Sequence, residues 1–437
     1  MMARYAPRLP RRPVLAKAAQ LAQFPPPRPA PRPPPTGPRE RTDCLALLLF
    51  AGVLLAAGPA VAAPPACELR GRPWIEGRIR PAASARGAAP ARAVDARGGE
   101  TIDAFLVLPG TLDGRPVLFS EDGSPGRVSF QRSGCAPLQI SWRRVEPRLA
   151  HTSTRPPNPG LDVYSNAVVF GPRHGQWLGY DQLEYFATPL SGATGLQLTL
   201  QDASPTAMPV PPREEAYKGL GTMRLAATVQ QGAKVLSTPG EDDAPKGQID
   251  ARVFRYSFRS GDGFVGWLTS FFNVPYLFGS AGDDLHHQAE RYIGADCADV
   301  LVAALRRAGL RRLHYTNVGG VIDAVGRAAG PAVVRPCPAE SPACASVSEP
   351  PLRYGAEVLP GDILAVDYVG SGELPRAWDH IVVLVEDRGP GGVPDGVLGP
   401  DDLVLDSGDA RALKLAPLAE QGEVRVLAAR PRGVPAF

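Results

Sequence analysis

The stretch ADCADVLVAALRRAGL, Ala295–Leu310, decides the fold of the C-terminal half of this 437-residue chain. Its apolar residues fall close to helical spacing, which predicts an amphipathic helix with one buried face. Arg306 and Arg307 stand in the last turn and Gly309 follows them, as is typical of a helix C-terminus. Cys297 is then in the first turn, where exposed N–H groups and the positive end of the helix dipole favour a thiolate. The alternative is that Cys297 is a small buried apolar residue, as most unpaired cysteines are.

The N-terminus indicates export. Residues 1–63 combine a basic, proline-rich lead with an apolar run, Leu45–Ala63, whose ending Ala60-Val61-Ala62 resembles a signal-peptidase site. An uncleaved membrane anchor is the alternative, because this run could just span a bilayer. The lead carries a net charge of +7. Since the formal net charge of the whole chain is +3, the rest of the chain carries −4. A mildly acidic body gives no electrostatic case for nucleic-acid binding. We therefore expect a protein of the periplasm or cell envelope, or a secreted one.

Export makes the cysteines informative, because disulfides form in oxidising compartments. Cys67 and Cys135 both lie in the N-terminal half, and Cys337 and Cys344 lie in the proline-rich loop CPAESPAC. Pairing within each neighbourhood is the simplest scheme, although the sequence does not fix the connectivity. It leaves Cys297 as the lone thiol of the exported chain, which favours its use as a nucleophile.

The hydrophobic pattern divides the rest of the chain. Over 66–203, short apolar or alternating runs separated by turn signals predict an all-β, sandwich-like domain. The proline-rich segment 204–213 is predicted to be a linker. Strand-like runs in 214–262 are expected to edge the next domain. Residues 263–437 begin with helical periodicity and end with a run of strands, which is an α+β pattern.

His380 stands out among the six histidines of the chain. It follows a polar loop and opens the apolar strand IVVLVE, and a Gly-Asp turn at Gly361-Asp362 leads into the strand before it. A satisfied structural histidine is the alternative. The adjacent His286 and His287 could bind a metal ion only with further ligands. We therefore predict no metal site and no cofactor.

The segment from about Phe264 to Arg430 resembles the NlpC-type cysteine peptidases, papain-like enzymes that cut peptides of bacterial murein. Each matching piece is short, and it is their order along the chain that makes the resemblance specific. The pieces are Pro275-Tyr276-x-x-Gly279, then Asp296-Cys297 opening a helix, then Leu359-Pro360-Gly361-Asp362, then His380 opening a strand, and then a strand ending near Asp406.

The resemblance implies a papain-like NlpC-type α+β domain, in which the helix with the cysteine packs on an antiparallel sheet. Carried over residue by residue, Cys297 would be the nucleophile and His380 the general base and acid. Asp406 falls where the family places the residue that orients the imidazole. Tyr276 matches a tyrosine near the developing oxyanion. Asp296 matches an aspartate that helps to hold the free amine of the stem peptide.

Two departures from the family pattern bear on the substrate. The family usually has Asp-Cys-Ser-Gly, whereas this chain has Ala298 and Asp299 after the cysteine. The alanine side chain can neither donate nor accept a hydrogen bond. The gap from Tyr276 to Cys297 also holds a long loop, SAGDDLHHQAERYIG, which is expected to reshape the cleft.

The sequence therefore predicts an exported cysteine hydrolase that cleaves an amide bond, in a murein stem peptide or a related substrate, with Cys297, His380 and Asp406. One alternative keeps the fold and the catalytic residues in an acyltransferase, a deamidase or a lipid-directed hydrolase. Another is a non-catalytic envelope binding or scaffold protein. In either case a glycan is a candidate ligand of the β domain, and contact with a membrane is expected only through an uncleaved N-terminal segment.

Overall fold

The fold is taken from a computed structural model of the chain. It describes residues 66–82, 88–148, 185–204, 212–244, 248–277, 279–280, 282, 284–336, 348–369, 378–408 and 412–437. The predicted signal segment and both Cys337 and Cys344 lie outside these residues. In the described part of the chain, no helix is long and apolar enough to cross a membrane.

Within the described residues, twelve strands of the N-terminal part form two six-stranded sheets of mixed direction. In the first sheet the order is β1-β4-β5-β6, and both β2 and β9 also pair with β4. In the second the order is β3-β12-β10-β7-β8, with β11 on β10. The strands are β1 (Cys67–Leu69), β2 (Trp74–Ile79), β3 (Ala93–Arg97), β4 (Ile102–Leu112), β5 (Arg115–Phe119), β6 (Arg127–Val128), β7 (Gln139–Pro147), β8 (Tyr185–Pro189), β9 (Gln197–Leu200), β10 (Gly221–Gln231), β11 (Lys234–Ser237) and β12 (Phe254–Arg259).

A disulfide closes this part of the chain. It joins Cys67 on β1 to Cys135, which precedes β7, and the two Cα atoms are 5.6 Å apart. This is the pairing that the positions of the two cysteines predict.

The strands of 214–262 are more closely tied to the N-terminal sheets than the sequence suggests. We expected them to edge the catalytic domain, but β10 pairs with β7 and β12 pairs with β3. They also contact the other half, since the side chain of Asn273 donates to the carbonyl of Thr222 at 3.0 Å. One hydrophobic core runs from Leu69 to Ala429. The two halves therefore share a core, because the apolar faces of β10 and β12 contribute to it.

Within the described residues, the C-terminal part holds three helices and a third six-stranded sheet, with the order β13-β18-β14-β15-β16-β17. The last of these helices ends at Val325, because Gly326 takes a positive φ of 92°. The elements are α1 (Phe264–Thr269), α2 (Cys297–Ala308), α3 (Val318–Val325), β13 (Arg327–Val334), β14 (Ile363–Tyr368), β15 (His380–Glu386), β16 (Leu403–Ser407), β17 (Leu413–Pro417) and β18 (Val424–Ala429).

Strand β15 is buried on both faces, which explains its unbroken apolar sequence. Ile381 and Val383 belong to the core shared with α2. Val382 and Leu384 belong to a second apolar cluster on the other face of the sheet. The sheet is therefore held rigidly between two cores, and so is the start of β15, where His380 lies.

Candidate active site

Helix α2 begins at Cys297, as the sequence predicts, and Asp296 caps it. The Asp296 carboxylate accepts hydrogen bonds from the backbone N–H groups of Ala298 at 3.0 Å and Asp299 at 2.9 Å. Aspartate is among the residues preferred at this position for that reason. The thiol of Cys297 is partly buried, and it is the free thiol within the described residues.

The electrostatics of this thiol contradict one expectation. Burial raises the pKa of Cys297 well above its ordinary value, and the carboxylates of Asp296, Asp299 and Asp406 raise it further. We expected the helix N-terminus to favour a thiolate, and that prediction is wrong. The main reason is that burial disfavours the charged thiolate. In addition, the capping carboxylate occupies N–H groups of the first turn and places a negative charge beside the sulfur. Cys297 is therefore a thiol at neutral pH.

His380 and Asp406 form a buried hydrogen-bonded pair. His380 Nε2 lies 2.7 Å from Asp406 Oδ1, and the residues are 6% and 3% exposed. They meet because β15 and β16 are antiparallel neighbours, with Val382 directly opposite Asp406. Burial pushes the pKa of Asp406 upward, but the hydrogen bond and positive charge of His380, together with Lys414, lower it overall. The pair can therefore carry an imidazolium beside a carboxylate.

Two further residues hold Asp406 in place. The side-chain amide of Gln421 donates to Asp406 Oδ2 at 2.9 Å, and the hydroxyl of Tyr368 donates to Gln421 Oε1 at 2.9 Å. Sequence analysis missed both residues, because neither stands in a motif and only the fold brings them to Asp406.

Gly408 completes the surroundings of the pair. A Cβ atom on this residue would lie 3.2 Å from Asp406 Oδ1 and 3.3 Å from His380 Cε1. Gly408 follows Asp406 by two residues in the run LVLDSG, and residues two apart on a strand share a face. This spacing was the signal in the sequence that Gly408 lies beside Asp406. A glycine there leaves room for the imidazole.

The thiol lies near this pair without a hydrogen bond to it. The charge of Asp406 raises the pKa of Cys297, and the charge of His380 acts on Asp296, so the four groups share one neighbourhood. No hydrogen bond among the described residues joins Cys297 to His380 or engages His380 Nδ1. Alternation places His380 on the opposite face of β15 from Ile381.

Beside Cys297 lies the Tyr276 segment, which comprises Pro275, Tyr276, Leu277 and Gly279. The N–H of Leu277 donates to the carbonyl of Ala295 at 3.0 Å, and the N–H of Ala295 donates to Pro275 at 3.2 Å. Tyr276 itself is partly buried. The backbone N–H of Cys297 has no partner in the described residues and is a candidate oxyanion donor. A role for Tyr276 near the oxyanion remains a prediction.

Asp296 has a structural role that the resemblance does not mention. Burial raises its pKa, whereas hydrogen bonds from the backbone N–H groups of Asp299, Ala298 and Gly279 lower it. The carboxylate thus ties the Tyr276 segment to the first turn of α2. Its predicted contact with a substrate amine would have to compete with these backbone groups.

A second polar cluster lies on the other side of α2, where the long loop packs. The hydroxyl of Ser280 donates to Asp299 Oδ2 at 2.5 Å, and His287 Nε2 lies 3.6 Å from the same oxygen. The His287 ring stacks on Tyr315, with centroids 3.5 Å apart. Burial, aided by the positive charge of Arg306, lowers the pKa of His287 to about 4. Burial and Asp296 raise the pKa of Asp299 well above its ordinary value.

No protein-family model matches this chain, and no curated protein or solved structure is significantly similar to it. The resemblance to the NlpC-type peptidases therefore stands on the motif residues and their order along the chain. Of those residues, His380 and Asp406 are in direct contact and Cys297 is nearby. Asp362 is occupied by an ion pair with Arg430 at 2.7 Å, so it stabilises the turn before β14.

Proposed function

We propose that this protein is an exported cysteine hydrolase that cleaves an amide bond with Cys297, His380 and Asp406. The observation that carries the proposal is the buried 2.7 Å contact between His380 and Asp406, close to the thiol of Cys297, the free cysteine among the described residues, at the start of a helix. The disulfide between Cys67 and Cys135 suits an oxidising compartment.

Asp406 sets the state of the imidazole. Because its carboxylate accepts a hydrogen bond from Nε2, the proton of the neutral ring stays on that nitrogen. The lone pair is then on Nδ1, which is the nitrogen left for the thiol. The carboxylate also stabilises the imidazolium that forms when His380 takes up a proton.

The raised pKa of the thiol dictates the first step of the reaction. His380 Nδ1 removes the proton from Cys297 as the sulfur attacks the carbonyl carbon, which is general-base catalysis. The backbone N–H of Cys297 donates to the oxyanion. Protonated His380 then gives its proton to the leaving nitrogen, and the C–N bond breaks to leave a thioester. A water molecule deprotonated by His380 hydrolyses the thioester, which releases the acid and restores the thiol.

The favoured substrate is a murein stem peptide. Its support is the resemblance to NlpC-type peptidases together with the predicted export. An acyltransferase, deamidase or lipid-directed hydrolase with the same catalytic residues is the second candidate. Ala298 favours it, and so does Asp296, whose carboxylate is engaged by the first turn of α2.

The test is release of soluble fragments from purified murein, followed by mass spectrometry. We expect Cys297→Ala and His380→Ala each to reduce release by at least about a thousandfold, since general-base catalysis and a covalent nucleophile both disappear. His286→Ala, an exposed histidine, is the matched control and should act like the wild type. Undiminished release by Cys297→Ala would overturn the proposal. Turnover of a small amide or ester without attack on murein would favour the second candidate.

A further inference from the structure

A cavity of about 220 Å³ lies away from the His380–Asp406 pair, between the second sheet and the loop that leads into α2. Its walls come from β3, β10 and β12 and from the segment Glu290–Ile293. Four arginines line it: Arg92, Arg224, Arg255 and Arg291. Two carboxylates, Asp250 and Glu290, also reach it.

Arg224 is the unusual member of this set. It is 3% exposed, and its one hydrogen bond in the described residues runs from Nη2 to the carbonyl of Tyr292 at 2.5 Å. A guanidinium carries five N–H donors and stays charged in proteins. Burial, together with the charges of Arg255 and Arg291, lowers the pKa of Arg224 to about 10, so it is still a cation at neutral pH. A buried cation without a carboxylate is costly.

The other charges around the cavity are not free to neutralise it. Arg255 is paired with Asp95 at 2.6 Å. Asp250 is paired with Arg252 at 2.7 Å, and Glu290 is paired with Arg306 at 2.7 Å. The Arg92 guanidinium lies over the ring of Trp74. The side chain of Arg291 has no hydrogen bond or ion pair within the described residues. Of the three guanidinium groups that lack a carboxylate there, that of Arg92 is engaged by the Trp74 ring. The charges of Arg224 and Arg291 therefore face the cavity uncompensated.

We infer that this cavity is a binding site for a small oxyanion of the phosphate class. Two uncompensated guanidinium groups match the charge of a phosphate dianion, and guanidinium forks bind such groups through paired N–H donors. The volume is sufficient for a phosphate and part of the group that carries it. The site uses none of the catalytic residues of the proposed hydrolase, so the test of this site does not depend on that function.

Thermal unfolding of the exported protein in sodium phosphate and in sodium chloride at matched ionic strength tests this site. A ligand that binds the native state stabilises it by mass action, so we expect phosphate to raise the Tm by about 5 °C. In Arg224→Met and Arg291→Met the rise should disappear. Arg291→Met keeps the test valid if Arg224→Met does not fold. Arg291 is partly exposed, and its side chain has no partner in the described residues to lose. Arg70→Met removes an exposed arginine outside the cavity and should keep the full rise.

Sodium acetate in a parallel series identifies the oxyanion. A rise with phosphate that exceeds the rise with acetate, lost in both cavity variants, supports the phosphate class. Equal rises with both anions, again lost in both variants, support the oxyanion site with a carboxylate ligand. No rise with either anion, or a rise that both cavity variants retain, overturns the site.

Discussion

Two buried histidine–aspartate pairs flank helix α2, and they differ in almost every property that matters for catalysis. His380 and Asp406 are 2.7 Å apart on neighbouring strands. His287 and Asp299 are 3.6 Å apart, with the aspartate on the helix and the histidine on the long loop. The pKa of Asp406 is lowered, whereas the pKa of Asp299 is raised. The pair on the strands, called the strand pair, favours a charged carboxylate. In the pair of loop and helix residues, called the loop pair, the charged forms of both residues are disfavoured.

The two pairs also differ in the hydrogen bonds that the ring nitrogens of their histidines make. His287 Nδ1 accepts a hydrogen bond from the N–H of Ala289 at 3.3 Å, and its Nε2 faces Asp299. Neither nitrogen is left to take a proton from Cys297. His380 uses Nε2 for Asp406 and leaves Nδ1 without a partner in the described residues. The same two residue types thus make different contacts in the two places, because the antiparallel strands hold His380 closer to its aspartate than the loop holds His287.

Replacing each aspartate by asparagine gives the largest expected difference. Asp406→Asn should lower the rate of amide hydrolysis by about a thousandfold, within the range of general-base catalysis. Gln421 donates to Oδ2 in the native protein, so the new amide would turn its oxygen to Gln421 and its NH₂ to His380. That arrangement forces the proton onto Nδ1 and removes the base. Asp299→Asn should change the rate by less than about threefold, since burial and Asp296 already disfavour the charged form of Asp299.

Steady-state kinetics on the substrate found in the murein assay measures both variants. Circular dichroism checks that both remain folded. Equal losses in the two variants would show that the pairs do not divide the roles as described, and a large loss in Asp299→Asn alone would reverse them.

The sequence was sufficient to name Cys297, His380 and Asp406 as candidates, because their motifs and the order of these motifs resemble the pattern of the NlpC-type peptidases. It was not sufficient for Gln421 or Tyr368, which reach Asp406 only through the folding of the sheet. The capping role of Asp296 was available from the sequence, since an aspartate directly before a helix is the usual cap. Its consequence, a raised rather than a lowered thiol pKa, required the geometry of the first turn.

The fold was predicted unevenly for a similar physical reason. The long strands β4, β10 and β15 follow from the apolar pattern of their sequences. The short β1 and β3 carry too few apolar residues to be distinguished from loops. The sharing of one core by the two halves depends on tertiary pairing, which local periodicity does not encode.

The loop pair should control stability in acid. His287 titrates near 6.5 in an unfolded chain and near 4 in the native protein. Between these values the unfolded state binds a proton that native His287 does not, so stability is complete above pH 6.5 and falls as the pH falls toward 4. The contribution is roughly 3 kcal/mol. His287→Gln should therefore lose less stability than the wild type between neutral pH and about pH 4.

Urea unfolding at the two pH values measures this difference. Asp299, whose raised pKa acts in the opposite direction, is present in both proteins, so the comparison isolates the histidine. The exposed His286→Gln is the control and should follow the wild type. Identical losses in His287→Gln and the wild type would mean that His287 is not held neutral in the native protein.

Substitution of Gly408 tests how much space surrounds the His380–Asp406 pair, and it has the smallest expected effect. In Gly408→Ala the new Cβ would lie 3.2 Å from Asp406 Oδ1 and 3.3 Å from His380 Cε1, which is closer than ordinary contact. The pair must shift by a few tenths of an ångström, and we expect about a tenfold loss of activity with little change in Tm. Gly319→Ala is the matched control, because its Cβ would meet Asn317 at an ordinary 3.6 Å. Full activity in Gly408→Ala would indicate that the imidazole tolerates displacement, and the contrast between the two pairs would then rest on charge rather than on position.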